Sequence, residues 1–270
     1  MDKIDRIGLI AGSGRFPIFV AEAAKANNVA LIAIALESES EKKIEDIADK
    51  TYWVRIGEAK KIIDTLKSEN IRYAIMAGKV NKSTLIKNAL RLDEEAKRVL
   101  KNIMDKKDDT ILSAIANRLK DFNIELMDST LFLKEMMPSR GALTKRKPDK
   151  RELEDIDFGF KIAKDMGSLD IGQSVIVKDK AVISVEAIEG TDAAIRRAGE
   201  LAGKGAVVVK VSKPKQDMRF DVPVVGLHTI DSLKAAKASV LAIEADKVLV
   251  LDKESVIREA EKAGLSIVAV

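Results

Sequence analysis

Residues 213–223, "KPKQDMRFDVP", interleave Lys213, Lys215 and Arg219 with Asp217 and Asp221, and place Gln216 among them. Carboxylates hold a hard cation or orient a water, whereas lysine and arginine bind phosphate oxygens and offset their charge. A protein that binds a metal–diphosphate complex needs both signs at one place. A solvated loop is the other reading of so charged a stretch. Pro214 and Pro223 stiffen its two ends, which favours a fixed constellation.

A second cluster lies in "VEAIEGTDAAIRR", residues 185–197. Glu186 and Glu189 surround an expected strand end, Gly190 turns the chain, and Thr191 and Asp192 open a helix, with Arg196 and Arg197 one turn on. Capping by Thr191 and the favourable dipole position of Asp192 explain part of this pattern. Carboxylates converging on a helix N-terminus are also what a metal–phosphate site requires. "GSLDIGQSVIV" (167–177) sets Asp170 and Gln173 just before another strand. The lone histidine, His228, reads as a helix-entry or surface residue.

Toward the N-terminus, "IAGSGRFP" (10–17) follows a strand and opens a helix. Gly12, Ser13 and Gly14 let backbone N–H groups approach an anion there, or simply make a tight βα turn. The pattern is G-x-G-x-x-P, without the third glycine or a well-placed ribose acid, so a nicotinamide dinucleotide is disfavoured. "MAGKV" (76–80) ends another strand at the edge where open α/β sheets bind ligands, and Lys79 is within reach of a phosphate there. Asp108 and Asp109 read as helix N-caps, and "KRK" (145–147) as solvated linker or a contact for anionic head groups.

Composition narrows the chemistry further. The 270 residues contain no cysteine and one histidine, which excludes disulfides, thiolate zinc sites, cysteine nucleophiles and multi-histidine metal centres. Any metal must therefore be held by oxygen, which points to Mg²⁺, Mn²⁺ or Ca²⁺. Lysine plus arginine exceed aspartate plus glutamate by only 47 to 43, and aromatics are 4 %, so no nucleic-acid partner is expected. No apolar run approaches the ~20 residues of a membrane span, and no signal-peptide core follows "MDKIDR", so a cytoplasmic location is expected.

Elements that would position these residues follow from periodicity. Apolar runs at 6–11, 29–36, 71–78 and 124–128 alternate with helical patterns, which predicts parallel βαβ units in a Rossmann-like N-terminal domain over 1–137. The break in "PSRGALTKRKPDK" predicts a linker at 138–150. From 151 to 270 a helix, a hairpin turning at "KDK", and further strands and helices predict a mixed α/β catalytic domain. The fold class is α/β.

"GLIAGSGRFP", "MAGKV", "LDIGQSVIV", "VEAIEGTDAAIRR" and "KPKQDMRFDVPVVG", in this order, resemble motifs of the metal-dependent UDP-2,3-diacylglucosamine pyrophosphatases of lipid A synthesis. This is the family unrelated to the calcineurin-like phosphoesterases that perform the same step. The resemblance spans nearly the whole chain. It implies hydrolysis of the diphosphate of a UDP-linked diacyl sugar lipid to UMP and 2,3-diacylglucosamine 1-phosphate, with Mg²⁺ or Mn²⁺. It further implies peripheral work at the inner face of the inner membrane, and leaves room for a homo-oligomer. The family's essential aspartate falls within "QDMRFD", on Asp217 or Asp221, with Asp217 favoured by its mid-loop place. In that scheme Asp217, Asp221, Glu186 and Glu189 hold the metal, while Arg219, Lys213 and Arg197 stabilise phosphoryl charge. Gly12, Ser13, Gly14, Lys79, Gln173, Thr191 and Gln216 complete the expected substrate contacts. The alternatives are a dinucleotide-dependent sugar-nucleotide enzyme and a non-catalytic nucleotide or acyl-lipid carrier.

Overall fold

The computed structural model describes residues 4–80, 92–101 and 108–270. The side chains of Asp108 and Asp109, expected as caps, lie outside the described residues. The chain divides into two compact units, Met1–Leu133 with Asp217–Asp221, and Lys134–Gln216 with Val222–Val270.

In the first unit, β1 (Arg6–Ala11), β2 (Ala30–Leu36), β3 (Lys50–Val54), β4 (Tyr73–Ala77) and β5 (Glu125–Leu126) form one parallel sheet in the order β3-β2-β1-β4-β5. The intervening helices are α1 (Phe16–Ala26), α2 (Ala59–Ser68), α3 (Glu94–Lys101) and α4 (Asp108–Lys120). Every residue of β1 from Ile7 and of β2 from Leu31 is buried, the mark of a parallel sheet covered on both faces. This is why those two strands read as continuous apolar runs. Strand β3, "KTYWV", lies at the sheet edge with only Val54 fully buried, so it lacks that signal and was not expected.

The order of strands reverses between β1 and β4, where open sheets leave a crevice at their carboxyl ends. Here the loops after those strands are laced together. The Ser13 N–H donates to the Lys79 carbonyl at 2.7 Å and the Lys79 N–H to the Ser13 carbonyl at 3.1 Å. The Gly12 N–H donates to the Ala77 carbonyl at 2.8 Å.

The second unit holds β6 (Gly141–Ala142), α5 (Lys150–Ser168), β7 (Ser174–Lys178), β8 (Ala181–Val185), α6 (Thr191–Ala202), β9 (Val207–Lys210) and β10 (Val224–Val225). It continues with α7 (Leu227–Ala235), β11 (Val240–Ile243), β12 (Leu249–Val250), α8 (Lys253–Lys262) and β13 (Ser266–Ala269). Its main sheet runs β6-β13-β11-β9-β7-β8, with β9, β11 and β13 parallel and the outer strands antiparallel; β10 and β12 pair separately. One core packs Ile156, Ala163 and Met166 of α5 on Val175, Val177, Val207, Val209 and Val240. The other gathers Ile195, Ile230, Leu233 and Val256 on Ile176, Val208, Leu241 and Ile267. The expected hairpin is present. Asp179 and Lys180 both take positive φ, as a two-residue turn requires, and the Asp155 carboxylate accepts both their N–H groups.

One local expectation is corrected. Residues 138–150 are bonded into the second unit: β6 pairs with β13, the Leu143 N–H donates to the Ile267 carbonyl, and Thr144 is 5 % exposed. Within "KRK", Arg146 pairs with Glu152 at 2.6 Å and Lys145 with Glu261 at 3.6 Å. The basic stretch therefore reads as edge-strand packing, which composition cannot distinguish from a linker. Helix α7 begins at Leu227 and places the exposed His228 in its first turn, at a helix entry as expected.

A Cβ added to Gly12 would sit 2.5 Å from the Lys79 carbonyl oxygen, a backbone atom that cannot swing aside. Gly12→Ala should therefore unlace the two loops and destabilise the protein by about 1–3 kcal/mol, read as a lower urea midpoint.

Candidate functional site

The "QDMRFD" stretch is not a solvated loop, because Asp217–Asp221 fold as part of the first unit. Phe220 is 3 % exposed and packs with Ile10, Ile32, Ile34 and Leu126. Ser129, just past β5, donates its N–H to the Met218 carbonyl at 2.8 Å. Its Oγ lies 2.6 Å from the Met76 carbonyl of β4 and 2.7 Å from the Arg219 carbonyl. The apolar ring goes inward and the charges stay at the surface, at the carboxyl end of the parallel strands.

Asp217 and Arg219 form a fork there. Arg219 Nε donates to both carboxylate oxygens at 3.0 and 3.1 Å, Nη2 donates to Oδ2 at 2.6 Å, and the Arg219 N–H to Oδ1 at 3.0 Å. These bonds hold the Asp217 carboxyl below its ordinary value and raise Arg219 above its own. Asp221 has φ 54, the left-handed region that aspartate tolerates, and turns the chain out of the segment. Gly12, Ser13 and Lys79 come together through the laced loops, and Ser13 Oγ donates to the Lys79 carbonyl at 2.8 Å. The N–H groups of Gly12 and Ser13 are spent on that lacing, so an anion there would meet the N–H of Gly14 and the first turn of α1.

The second unit assembles a buried polar cluster at the end of β9. Lys210, 6 % exposed, donates to Thr191 Oγ1 at 2.9 Å and to Ser174 Oγ at 3.3 Å, with Glu186 Oε2 at 3.8 Å. Thr191 Oγ1 donates in turn to Glu186 Oε1 at 2.8 Å, and the Gln173 N–H to Glu186 Oε2 at 3.3 Å. Burial pushes the Glu186 carboxyl up. The charge of Lys210 and the hydrogen bonds from Ser174, Thr191 and Gln173 outweigh it and hold the carboxyl below its ordinary value. The two motifs "LDIGQ" and "EAIEGTD" meet here because residue 172 is glycine: a Cβ on it would sit 2.2 Å from the Glu186 carbonyl oxygen.

The remaining expected residues are engaged apart from this cluster. Glu189 pairs with Arg197 at 2.6 Å, and Arg197 Nη2 also reaches the Val185 carbonyl. Lys213, its side chain 10 % exposed, pairs with Asp170 at 2.7 Å. Gln216 closes the turn that follows, its Oε1 accepting the Lys213 N–H at 3.2 Å. Of the four carboxylates expected to hold a metal, Asp217 and Asp221 belong to the first unit and Glu186 and Glu189 to the second. Asp217 is taken by Arg219, Glu186 by Lys210 and its hydroxyls, and Glu189 by Arg197. Among the described residues no three acidic or histidine side chains gather to hold a metal. Such a donor set fits Mg²⁺ in one mode only, in which one or two carboxylates act with the phosphates of the substrate.

Lys210 and Ser129 were not singled out from the sequence, and neither was the ion pair of Lys164 with Glu244 at 3.0 Å. For Lys210 a signal existed: a lysine closing "AVVVK" inside an otherwise apolar run, "AVVVKV". For Ser129 there was none.

Comparison with known proteins places these features. A family model described as the LpxI N-terminal domain matches residues 6–136, and one described as the LpxI C-terminal domain matches 139–268. The UDP-2,3-diacylglucosamine pyrophosphatase LpxI of Caulobacter vibrioides is 33 % identical over 278 residues, covering 98 % of this chain and 97 % of its own. Among solved structures, the biotin carboxylase subunit of pyruvate carboxylase aligns at 15 % identity and TM-score 0.29, over 64 % of this chain and 35 % of that one. Phosphoribosylglycinamide synthetase from Anaerococcus prevotii aligns at 14 % and 0.28, over 74 % and 43 %. These structural scores carry no argument about fold or function. The two domain matches and the full-length identity do: the chain belongs to the LpxI family.

Proposed function

We propose that this protein hydrolyses the diphosphate of UDP-2,3-diacylglucosamine to UMP and 2,3-diacylglucosamine 1-phosphate, as a step of lipid A synthesis. Family membership and the activity named for the Caulobacter relative support the reading. The structural observation that carries it is the Asp217–Arg219 fork beside the carboxyl end of β4, near the glycine loop after β1.

Water adds at one phosphorus and the bridging P–O bond breaks, so negative charge grows on the phosphoryl oxygens. Arg219 is the group to meet that charge; its Nη1 is not bonded by any described residue, which leaves donors for a phosphate. Asp217, held below its ordinary value, is a poor proton acceptor at neutral pH. It suits the task of an ionised carboxylate that orients water or holds a cation. Mg²⁺, bound with the diphosphate, would supply Lewis acidity at the phosphoryl oxygens, with Asp217 and Asp221 the carboxylates to hold it.

The diacyl substrate buries hydrocarbon at ~0.8 kcal/mol per CH₂, so it resides in or on a membrane. No described helix is long and apolar enough to cross one. We therefore place the protein peripherally at the membrane surface.

Three measurements test this reading. UMP release from the UDP-lipid should stop in EDTA and return with Mg²⁺ or Mn²⁺; undiminished turnover by metal-free protein would exclude the cation. Asp217→Asn should lower kcat by ~10²–10³ while melting normally, since it removes one formal charge at the reacting centre. Normal kcat in both Asp217→Asn and Asp221→Asn would exclude this segment. Because Arg219 is what depresses Asp217, Arg219→Ala should let the carboxyl rise, and the acid limb of kcat should move to higher pH. An unmoved limb would show that Asp217 ionisation does not govern turnover.

A further inference from the structure

We infer that Ser129 is a positioning residue for the reaction, aiming the Asp217–Arg219 fork by fixing the backbone that carries it. The inference rests on the reading of Asp217 as the carboxylate of the reacting centre.

Ser129 is 1 % exposed, and the bonds it makes to described residues go to main-chain carbonyls. What it touches is the main chain on both sides of Arg219. Its N–H donates to the Met218 carbonyl at 2.8 Å, and its Oγ lies 2.7 Å from the Arg219 carbonyl. A peptide group is planar, so holding the Met218 carbonyl also fixes the direction of the Arg219 N–H in the same unit. That N–H is the one that donates to Asp217 Oδ1 at 3.0 Å. One residue thus sets the peptide plane that points the backbone donor at the carboxylate.

The other end of the linkage is the sheet. Ser129 Oγ is 2.6 Å from the Met76 carbonyl in β4, and its single proton serves the Met76 and Arg219 carbonyls in turn. Both carbonyls are thereby tied to one rigid element. Phe220 anchors the segment in the apolar core, and the Ser129 bonds add directional ties that fix its rotation. A misplacement of ~1 Å at a reacting group can lower a rate ~10²-fold, so a residue remote from the phosphates governs kcat through this geometry.

The test compares Ser129→Ala, the conservative Ser129→Thr, Asp217→Asn and the double variant Ser129→Ala/Asp217→Asn in the full-length protein. Readouts are kcat and KM for the UDP-lipid and amide hydrogen exchange of the peptide spanning 216–222. Ser129→Ala should lower kcat by ~10- to 10²-fold with KM within about twofold, and speed exchange in that peptide alone. Ser129→Thr, which keeps the hydroxyl, should recover most of kcat. On the Asp217→Asn background the alanine should add less than about a twofold loss, because the group it aims is already disabled. Normal kcat in Ser129→Ala beside an inactive Asp217→Asn, or losses that multiply in the double variant, would overturn the inference alone. Normal kcat in Asp217→Asn would overturn the reading beneath it.

Discussion

Phe220 is the side chain on which the arrangement of charge in this protein turns. It is 3 % exposed in a core otherwise built from the five strands of the first unit with α2 and α4, although it lies far along the chain from all of them. Burying such a ring contributes about 1.5–3 kcal/mol toward holding Asp217–Asp221 in that unit, with the Ser129 bonds beside it. The charges next to the ring cannot follow it inward without large desolvation costs. Asp217 and Arg219 therefore remain at the surface, about a third to two fifths exposed, and satisfy each other. Asp221 then takes a left-handed backbone and returns the chain toward Pro223.

The second unit treats its charges differently. Lys210 is buried and Glu186, Lys164, Glu244 and Lys213 are partly buried, and each meets an opposite charge or a hydroxyl. Removing one partner of such a pair is far worse than removing both, because the survivor is left buried and charged. Their effect is to fix which loop lies beside which. Glu186 ties the loop before β7 to the start of α6, while Glu244 accepts from Lys164 and from the N–H and hydroxyl of Ser212, tying α5 to the end of β11. Surface pairs such as Glu189–Arg197 cannot carry that weight in high dielectric.

The same contrast explains how carboxylates of equal type come to different tasks. Glu186 is largely enclosed and served by a lysine and two hydroxyls, which hold its carboxyl ionised against the cost of burial. Asp217 is about a third exposed and meets the Arg219 guanidinium at the surface. Glu189, on the surface of the second unit, meets Arg197 instead.

Much was legible beforehand because it depended on neighbours in sequence. The apolar runs of β1 and β2, the "KDK" hairpin turn and the helix after "EGTD" follow from burial on both faces, two residues of positive φ and a βα turn, all local in origin. The motifs likewise fixed the family, since residue types and their order are what a family shares. Strand β3 escaped because an edge strand carries no continuous apolar signature. The stretch 138–150 was misread because a proline- and lysine-rich segment looks alike whether it links or packs. Ser129 and Lys210 needed the tertiary structure, for their meaning lies in what stands opposite them, at Arg219 and at Thr191. The sequence by itself determined which charges the protein carries and in what order; only folding decided which cation each carboxylate meets, because pairing depends on distance in space and on exclusion of water.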